Sequence, residues 1–229
     1  IRRNFPRQIL EVDENNKVKL AYEGEWKNNR MDGFGVLNMK RGARYIGYFR
    51  DDLANGIGKM HFSNGNIYLG MFLNGKAQGN GKINNYKNST SFLGEWKMDK
   101  QHGYGYEETK NNNYNGDFFE GNKNGVGIVE FDNGSIYEGE LLNNTLNGIG
   151  KLIFKKDNKE NKYEGEFKNS KMNGYGMLSY SKNKYYEGEF ENDARSGFGV
   201  YYNNDSIYIG RWKMNKLNGE VCVIENRSR

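Results

Sequence analysis

The chain has 229 residues, of which 35% are hydrophobic and 28% charged, and its formal net charge is +5. This composition provides few apolar residues for a thick two-layer core. The mild net charge permits attraction to acidic partners without requiring any. Disorder is disfavoured because 17 Tyr, 13 Phe and 3 Trp recur in a fixed register. No run of about 18 apolar residues occurs, so no membrane-spanning helix is predicted. The single cysteine, Cys222, excludes an internal disulfide framework and indicates a reducing compartment.

The first residues differ from the rest of the chain. Residues 1–17 match no repeat, and Val18, Lys19 and Leu20 alternate like a strand that leads straight into Tyr22. Because the ends of a repeat array need capping, this segment is predicted to be a half-hairpin that covers the first edge. The predicted organisation is an N-terminal extension and capping strand over residues 1–21, a repeat array over 22–224 and a C-terminal tail over 225–229.

A motif of an aromatic residue followed by spaced glycines recurs nine times. The first copy reads Tyr22-Glu23-Gly24-Glu25-Trp26 and, after six further residues, Gly33-Phe34-Gly35. In every copy, glycines lie two and eleven positions after the first aromatic, and in all but the last copy a third glycine lies thirteen positions after it. Repetition at this period predicts a repeat protein. Copies 1 to 9 begin at Tyr22, Tyr45, Tyr68, Phe92, Tyr114, Tyr137, Tyr163, Tyr186 and Tyr208.

Each copy is predicted to form a β-hairpin. In the first arm, Tyr22, Gly24 and Trp26 share one face because alternate residues of a strand point the same way. A six-residue polar turn follows, and the second arm is predicted to begin at Gly33. In a single-layer sheet the rings of one arm would lie over the backbone of the other, where a side chain at Gly24 or Gly35 would collide with them. The residue three positions after the second aromatic is always a turn former: Asn29, Asp52, Gly75, Asp99, Gly121, Asn144, Ser170, Asp193 and Asn215.

The connections between copies and the final copy carry their own signals. Asn64-Gly65 and Asn133-Gly134 favour two-residue type I′ turns. The lysine-rich connection before Tyr163 is the longest and is predicted to be a surface insertion. In copy 9, Gly219-Glu220-Val221 replaces the usual Gly-x-Gly, and an apolar strand follows. Such a final strand leaves an unpaired edge, so a homodimer is predicted to form through Val221, Val223 and Ile224.

The pattern Tyr-x-Gly-x-Trp/Phe, a six-residue turn and Gly-x-Gly resembles the MORN (membrane occupation and recognition nexus) repeat over about residues 22–224. The resemblance implies an all-β fold, an elongated and twisted single-layer antiparallel sheet of about nine tandem hairpins, with a groove lined by the repeat aromatics. Members of this family act as binding modules and scaffolds, some in membrane skeletons or cilia and some beside a catalytic domain. Three copies depart from the pattern through Phe92, Leu141 and Gly219, and these departures are predicted to weaken local packing.

No catalytic constellation is visible in the sequence. His61 and His102 fall at different repeat positions, and two dispersed histidines with one cysteine do not supply a metal site. Paired glutamates such as Glu23 and Glu25 recur periodically, which indicates a solvated face rather than an acid–base pair. The chain is therefore predicted to be no enzyme and to need neither cofactor nor metal.

The first functional hypothesis is a scaffold that binds a protein partner. A single-layer sheet cannot cover both of its faces, so an aromatic groove is predicted to hold a peptide or an amphipathic helix. The alternative interpretation is that the rings only fill each other's gaps. The predicted groove residues are Tyr45, Phe49, Tyr68, Phe72, Phe92, Trp96, Tyr114 and Phe118.

The second hypothesis is attachment to a membrane surface through anionic phospholipids such as phosphoinositides. Basic residues near such a surface each contribute about 1 kcal/mol. A further alternative is an accessory repeat domain of a larger enzyme, such as a lipid kinase. Nucleic acid is not an expected partner because the neighbours of the aromatics are glutamates. The expected location is cytoplasmic, in a cytoskeletal, ciliary or membrane-skeleton assembly. Candidate lipid contacts are Arg2, Arg3, Arg7, Lys155, Lys156, Lys159 and Lys162.

Overall fold

The fold is described by a computed structural model for residues 7–15, 17–156 and 159–225. These residues form two compact units. Unit 1 comprises the described residues up to 110 together with 118–121, and unit 2 comprises 111–117 together with the described residues from 122 onward. Apart from one 3-10 turn at Lys40–Gly42, the regular elements of the described chain are strands. The strands are β1 Arg7–Val12, β2 Val18–Lys27, β3 Arg30–Asn38, β4 Arg44–Arg50, β5 Leu53–His61, β6 Ile67–Leu73, β7 Lys76–Asn85, β8 Thr90–Lys97, β9 Lys100–Glu108, β10 Asn112–Phe119, β11 Asn122–Phe131, β12 Ile136–Leu142, β13 Thr145–Lys156, β14 Lys159–Lys168, β15 Lys171–Ser181, β16 Lys184–Glu191, β17 Ala194–Asn203, β18 Ser206–Lys213 and β19 Lys216–Glu225.

Within each unit, consecutive strands pair antiparallel in a single layer. In copy 1, Gly24 of β2 faces Gly35 of β3, and Gly35 in turn faces Gly47 of β4 in the next copy. The same alignment recurs in unit 2, where Gly165 faces Gly176 and Gly176 faces Gly188. The repeat glycines therefore form a row across the strands, which we call the glycine row. The predicted all-β, single-layer sheet of tandem hairpins is confirmed.

The hairpin turn within each copy contains two residues, both with a positive φ. In copy 1 these are Asn28 at 51° and Asn29 at 61°. Positive φ at both positions defines a type I′ turn, whose twist matches that of the flanking strands. The nine predicted turn formers all have a positive φ, as expected. The predicted turn length is wrong, however, because the type I′ turn lets pairing resume at Arg30 rather than at Gly33.

A β-bulge lies in the second arm of each copy whose hairpin register is described. In copy 1, Gly24 faces Gly35 and Trp26 faces Met31, so the single residue Glu25 lies opposite the three residues Asp32, Gly33 and Phe34. Gly33 is the middle residue of this bulge and has a φ of 95°, a conformation that L side chains rarely adopt. The eleventh-position glycine is therefore needed for the bulge and not for the turn.

Hydrogen bonds join the turns of neighbouring copies. The N–H of Asp52 donates to the carbonyl of Met31 at 3.0 Å, and the Asp52 carboxylate accepts the N–H of Met31 at 2.7 Å. In unit 2 the same reciprocal pair forms between Asp193 and Met172, at 3.0 and 2.8 Å. Each turn thus satisfies backbone groups at the start of the preceding copy's second arm.

The N-terminal cap differs from the prediction. Val18–Leu20 is the beginning of β2, the same strand that carries Tyr22, and the strand that covers its edge is β1. Ile9 of β1 faces Ala21, and Glu11 faces Leu20 across a register shift. The cap was missed because residues 7–12 carry no repeat residue.

The connections between copies also differ from the predictions. At Asn64-Gly65 only the glycine has a positive φ, and Gly65 N–H donates to the Phe62 carbonyl at 3.0 Å. This is a type I turn followed by a left-handed glycine, not a type I′ turn, and Asn133-Gly134 repeats it. The lysine-rich connection is not a loop over its described length, because Lys155 faces Glu160 in the extended hairpin β13–β14.

Candidate functional site

A tyrosine lies flat over the glycine row in most copies. In copy 1, a Cβ built on Gly24 or Gly35 would collide with the Tyr22 ring, and the Gly24 Cβ would also lie 2.6 Å from the Cα of Gly35. The Tyr22 hydroxyl donates to the carbonyl of Glu25, the residue opposite the bulge, at 2.9 Å. The same bond is made by Tyr45, Tyr68, Tyr114, Tyr137, Tyr163 and Tyr186. Each ring is therefore held both by the glycines beneath it and by the backbone opposite the bulge.

The second aromatic of each copy stands edge-on between two first aromatics. Phe49 contacts Tyr45 of its own copy and Tyr22 of the preceding one, with centroids 5.0 and 5.2 Å apart and nearly perpendicular planes. In unit 2, Phe167 contacts Tyr163 at 5.1 Å and Tyr137 at 5.0 Å in the same way. We call this alternating row of rings the aromatic ladder. Edge-to-face contacts of this kind contribute about 0.5–1.5 kcal/mol each beyond the burial of area.

The predicted groove residues lie inside this ladder. None of the eight is more than 9% exposed, so each ring belongs to the core of its own unit. The seven rings of unit 1 fill each other's gaps, and the described structure leaves little of the surface of any of the eight open to a partner. Their role in binding stays a prediction. The eight are Tyr45, Phe49, Tyr68, Phe72, Phe92, Trp96, Tyr114 and Phe118.

Burial of the ladder tyrosines changes their acid–base behaviour. Burial raises the pKa of Tyr45 from its usual value to about 12 and also raises the pKa of Tyr163. The pKa of Tyr137 rises to about 12 because of burial and, second, the charge of Glu140. The neutral phenol is therefore the form that the folded ladder holds.

The face opposite the ladder carries an exposed apolar row in unit 1. Phe34 and Ile57 each precede a glycine, Gly35 or Gly58, whose free face is covered by a tyrosine ring, so their side chains point the other way. Phe34 faces Tyr48, with ring centroids 5.6 Å apart, and Ile57 faces Met71. Their exposed fractions are 44%, 51%, 63% and 47% for Phe34, Tyr48, Ile57 and Met71. We call these four residues the open strip.

Other copies have a carboxylate where the open strip has Tyr48 or Met71. The Glu166 carboxylate accepts the backbone N–H of Tyr175 at 3.0 Å, and the Glu189 carboxylate accepts that of Phe198 at 2.8 Å. Glu95, Asp117 and Glu140 make the equivalent bond. The sequence pattern indicated only a solvated acidic face. The sequence did contain a signal for this difference. Among the first eight copies, only copies 2 and 3 lack an acidic residue at this position.

The second aromatic of copy 6 is Leu141, and a cavity of about 350 Å³ lies beside it in unit 2. Leu141 is 4% exposed and occupies the ladder position between Tyr114 and Tyr137. Val129, Leu146 and Leu152 also line the cavity. Leu141 was noted in the sequence as a departure from the repeat, but its cavity was not foreseen.

The four lysines among the predicted lipid contacts all belong to the hairpin β13–β14. Lys156 faces Lys159 in the hairpin β13–β14, while Lys162 pairs with Glu164 at 2.8 Å. Arg2, Arg3 and the Arg7 side chain lie outside the described residues. Lipid binding by these residues stays a prediction.

The predicted dimer edge lies on β19, which pairs with β18. Val223 and Ile224 are about half exposed, and Val221 faces Gly210 where other copies have a glycine pair. A valine in the glycine row displaces the ring above it, since Tyr208 is only partly buried and contacts Tyr201 instead. The homodimer stays a prediction.

A metal centre and a membrane-spanning helix are two features that the described residues lack. No group of three or more His, Cys, Asp or Glu side chains converges there on a candidate metal position. Across the same residues no helix has the length and apolarity needed to cross a bilayer.

The fold and the ladder together define a tandem β-hairpin repeat protein. The family model of the MORN repeat matches nine segments of this chain, so the chain belongs to the MORN repeat family, as its resemblance predicted. This family is a repeat module without catalytic machinery of its own. The segments are residues 22–43, 45–67, 68–83, 92–113, 114–136, 137–159, 163–185, 186–206 and 208–220.

Comparisons beyond the family model add little. No curated protein sequence matches. Among solved structures, the chain is similar to the SAS-4 (dCPAP) TCP domain in complex with a proline-rich motif of Ana2 (dSTIL) of Drosophila melanogaster. The identity is 13%, the TM-score is 0.28, and the match covers 82% of this chain and 87% of the other. So low a TM-score carries no argument about function.

Proposed function

We propose that this protein is a scaffold that holds an amphipathic segment of a protein partner on the open strip of unit 1. The observation that carries this proposal is the exposure of four large apolar side chains in one row across β3 to β6. Clusters of exposed apolar residues commonly mark interaction sites. The ladder on the other face needs no partner because its rings bury one another.

The charges beside the open strip indicate the polar side of the partner. On the same face, Lys59 is paired with Leu69, and Lys82 with Leu93. Both leucines are 54% exposed, so the apolar surface extends towards these two lysines. A helix with apolar residues at i, i+3, i+4 and i+7 and acidic residues along one flank fits this arrangement.

The proposed mode of action is binding rather than catalysis. The repeat family supplies a binding and scaffolding module, and the site proposed here consists of apolar and basic side chains on a sheet face. Activity of a larger protein that includes these repeats would then depend on what the scaffold brings together.

The test uses a double variant, Tyr48→Glu with Met71→Glu. Glutamate stands at the equivalent position in copies 4, 6, 7 and 8, where it accepts a backbone N–H, so both substitutions suit the hairpin. The probe is a displayed library of amphipathic helical peptides selected against the whole chain. We expect enrichment of peptides with an apolar face and an acidic flank, and a loss in affinity of at least about tenfold for the double variant.

The matched control is Val126→Glu with Ile149→Glu. These residues are 58% and 59% exposed and lie on the corresponding face of unit 2, so the control adds the same charge outside the open strip. Selected peptides should bind this control as they bind the natural chain. The proposal is wrong if no amphipathic peptide is enriched, or if the enriched peptides bind both double variants equally.

A further inference from the structure

One carboxylate of copy 8, that of Glu187, lies between apolar neighbours on the face opposite the ladder in unit 2. Glu187 precedes Gly188, and the hydroxyl of Tyr186 covers the free face of this glycine, so the Glu187 side chain points away from the ladder. The residues directly paired with Glu187 are Met177 on β15 and Val200 on β17. Neither carries a charge that could offset that of the carboxylate.

The equivalent carboxylate of copy 7 has lysines beside it. Glu164 faces Lys151 across β13 and β14, and it forms an ion pair with Lys162 at 2.8 Å. In copy 8 the equivalents of these two lysines are Met177 and Tyr185. Within the described part of the chain, the copy 8 carboxylate forms no ion pair. Its negative charge is therefore not balanced by a direct partner.

Three tyrosines lie around this carboxylate. Tyr175 is 55% exposed, and its hydroxyl donates to Oε1 of Glu187 at 3.1 Å. Tyr185 faces Tyr202 across β16 and β17, and their rings are stacked with centroids 4.2 Å apart and planes inclined by 19°. Tyr185 lies two residues before Glu187 on β16, so the stacked pair and the carboxylate share one face of the sheet. We call these four residues the tyrosine–glutamate cluster.

The tyrosines of the cluster leave the charge of Glu187 in place. The pKa of Tyr175 is raised by burial and then by the hydrogen bond to Glu187, and the pKa of Tyr185 is raised by burial, by Tyr202 and by the charge of Glu187. The phenols are therefore neutral near pH 7 and contribute no positive charge. A carboxylate has about four acceptor positions, and the Tyr175 hydroxyl occupies one of them.

We propose that the tyrosine–glutamate cluster binds the guanidinium group of an arginine side chain from a partner polypeptide. A guanidinium is planar, so it can donate two parallel N–H bonds to a carboxylate and lie flat on an aromatic ring. Glu187 accepts the two bonds, and the exposed ring of Tyr175 supplies the aromatic face. This site is separate from the open strip and does not rest on the proposed scaffold function.

The chemistry of the cluster discriminates among ligands. A lysine ammonium is a compact and strongly hydrated point charge, so it gains less from the ring and cannot form the two parallel bonds. Citrulline has nearly the shape of arginine but no charge, so it gains neither the ionic attraction to Glu187 nor the cation–π contact. An acidic ligand would meet the like charge of Glu187, which is unfavourable at short range.

The experiment titrates the whole chain with acetylated and amidated Gly-X-Gly peptides, where X is arginine, lysine or citrulline, while amide resonances are followed by NMR. The arginine peptide is expected to bind in the millimolar range and to shift the amides of Tyr175, Glu187 and Tyr202. The lysine peptide should bind at least about threefold more weakly, and the citrulline peptide should leave these amides unshifted.

Supplying the absent lysine is the decisive variant. Val200→Lys places an ammonium on the strand position that faces Glu187, and lysine stands at the equivalent position of copies 2, 3 and 6, so the variant should fold. Its internal ion pair should weaken binding of the arginine peptide at least about tenfold. The matched control is Ile128→Lys, which adds the same charge opposite Glu138 in copy 5. This control should bind the arginine peptide as the natural chain does.

Glu187→Gln tests the charge of the cluster separately. The glutamine oxygen can still accept the Tyr175 hydroxyl, so the hairpin keeps this bond while the arginine peptide should bind at least about tenfold more weakly. Glu164→Gln is its control, because that carboxylate already pairs with Lys162, and binding should be unchanged. The proposal is overturned if the arginine peptide shifts none of these amides, if the lysine or citrulline peptide binds as tightly, or if Val200→Lys and Glu187→Gln both bind it normally.

Discussion

Copies 2 and 3 in unit 1 and copies 6 to 8 in unit 2 share one hairpin but differ on the face opposite the ladder. In copies 6 to 8 the residue opposite the bulge is Glu140, Glu166 or Glu189, and its carboxylate accepts a backbone N–H of the second arm. In copies 2 and 3 the same position holds Tyr48 or Met71, about half exposed and next to other apolar residues. The residue opposite the bulge can therefore stabilise the hairpin itself or form part of the exposed surface, and the chain uses it in both ways.

The largest expected effect is a loss of stability at alkaline pH. It should be the same in the two regions, because both depend on the ladder. The pKa of Tyr45 and Tyr68 in unit 1 and of Tyr137 and Tyr186 in unit 2 is raised by burial to about 12. An unfolded tyrosine titrates near a pKa of about 10. Ionisation of these tyrosines should hence leave the free energy of unfolding unchanged below about pH 10 and lower it as the pH rises from about 10 through about 12.

This prediction is checked by circular dichroism and phenolate absorbance over the same pH range. The phenolate absorbance of the ladder tyrosines should rise at higher pH than that of exposed tyrosines and together with the loss of strand structure. The amide NMR signals of both units should vanish over the same pH interval. Ionisation of the ladder tyrosines in a chain that keeps its strands would contradict the account of their burial.

The second effect, also common to both regions, comes from filling the glycine row. In Gly70→Val and Gly165→Val, the added Cβ would lie 2.5 Å from the Cα of Gly81 and Gly176 respectively. Backbone cannot yield as a flexible side chain can, so each variant should lose about 3 kcal/mol of unfolding free energy. The measurement is urea denaturation with native-state hydrogen exchange. If one variant lost much less unfolding free energy than the other, the ladders of the two units would not be equivalent.

The smallest effect separates the two regions and should differ in sign. Glu166→Met removes the acceptor of the Tyr175 N–H and should lower the free energy of unfolding by about 1 kcal/mol. Met71→Glu supplies such an acceptor in copy 3 and should raise it by a similar amount of about 1 kcal/mol. Thermal unfolding of the two single variants measures both. Equal shifts of the same sign would mean that the carboxylate bond has no structural role.

Much of the fold was predictable because the repeat imposes the same local chemistry nine times. Turn formers such as Asn29 and Asp52 indicated left-handed backbone, and glycines between rings, such as Gly24, indicated rings lying on bare backbone. Both expectations are confirmed. The turn length was mispredicted because Gly33 looks like a turn residue, whereas its positive φ belongs to the bulge.

The candidate site was harder to predict from the sequence. Period-two alternation says which residues share a face but not which face is covered, so the groove was assigned to rings such as Tyr68 that prove to be buried. The open strip was overlooked because Phe34 and Ile57 fall between repeat glycines, at the variable position of the Gly-x-Gly motif. Glu23 and Glu25 look alike in the sequence, although only Glu25 lies opposite the bulge.

The hydrogen bonds between neighbouring turns have a consequence for how such a chain can change in length. Asp52 binds Met31 through both its backbone and its side chain, and Asp99 binds Ala77 in the same way. Each copy therefore carries, at the start of its second arm, the groups that the turn of the next copy binds. A duplication or deletion of one whole copy renews these bonds at the new junction, whereas a change by part of a copy leaves backbone groups unmatched. The number of hairpins can thus change by whole copies without loss of these bonds.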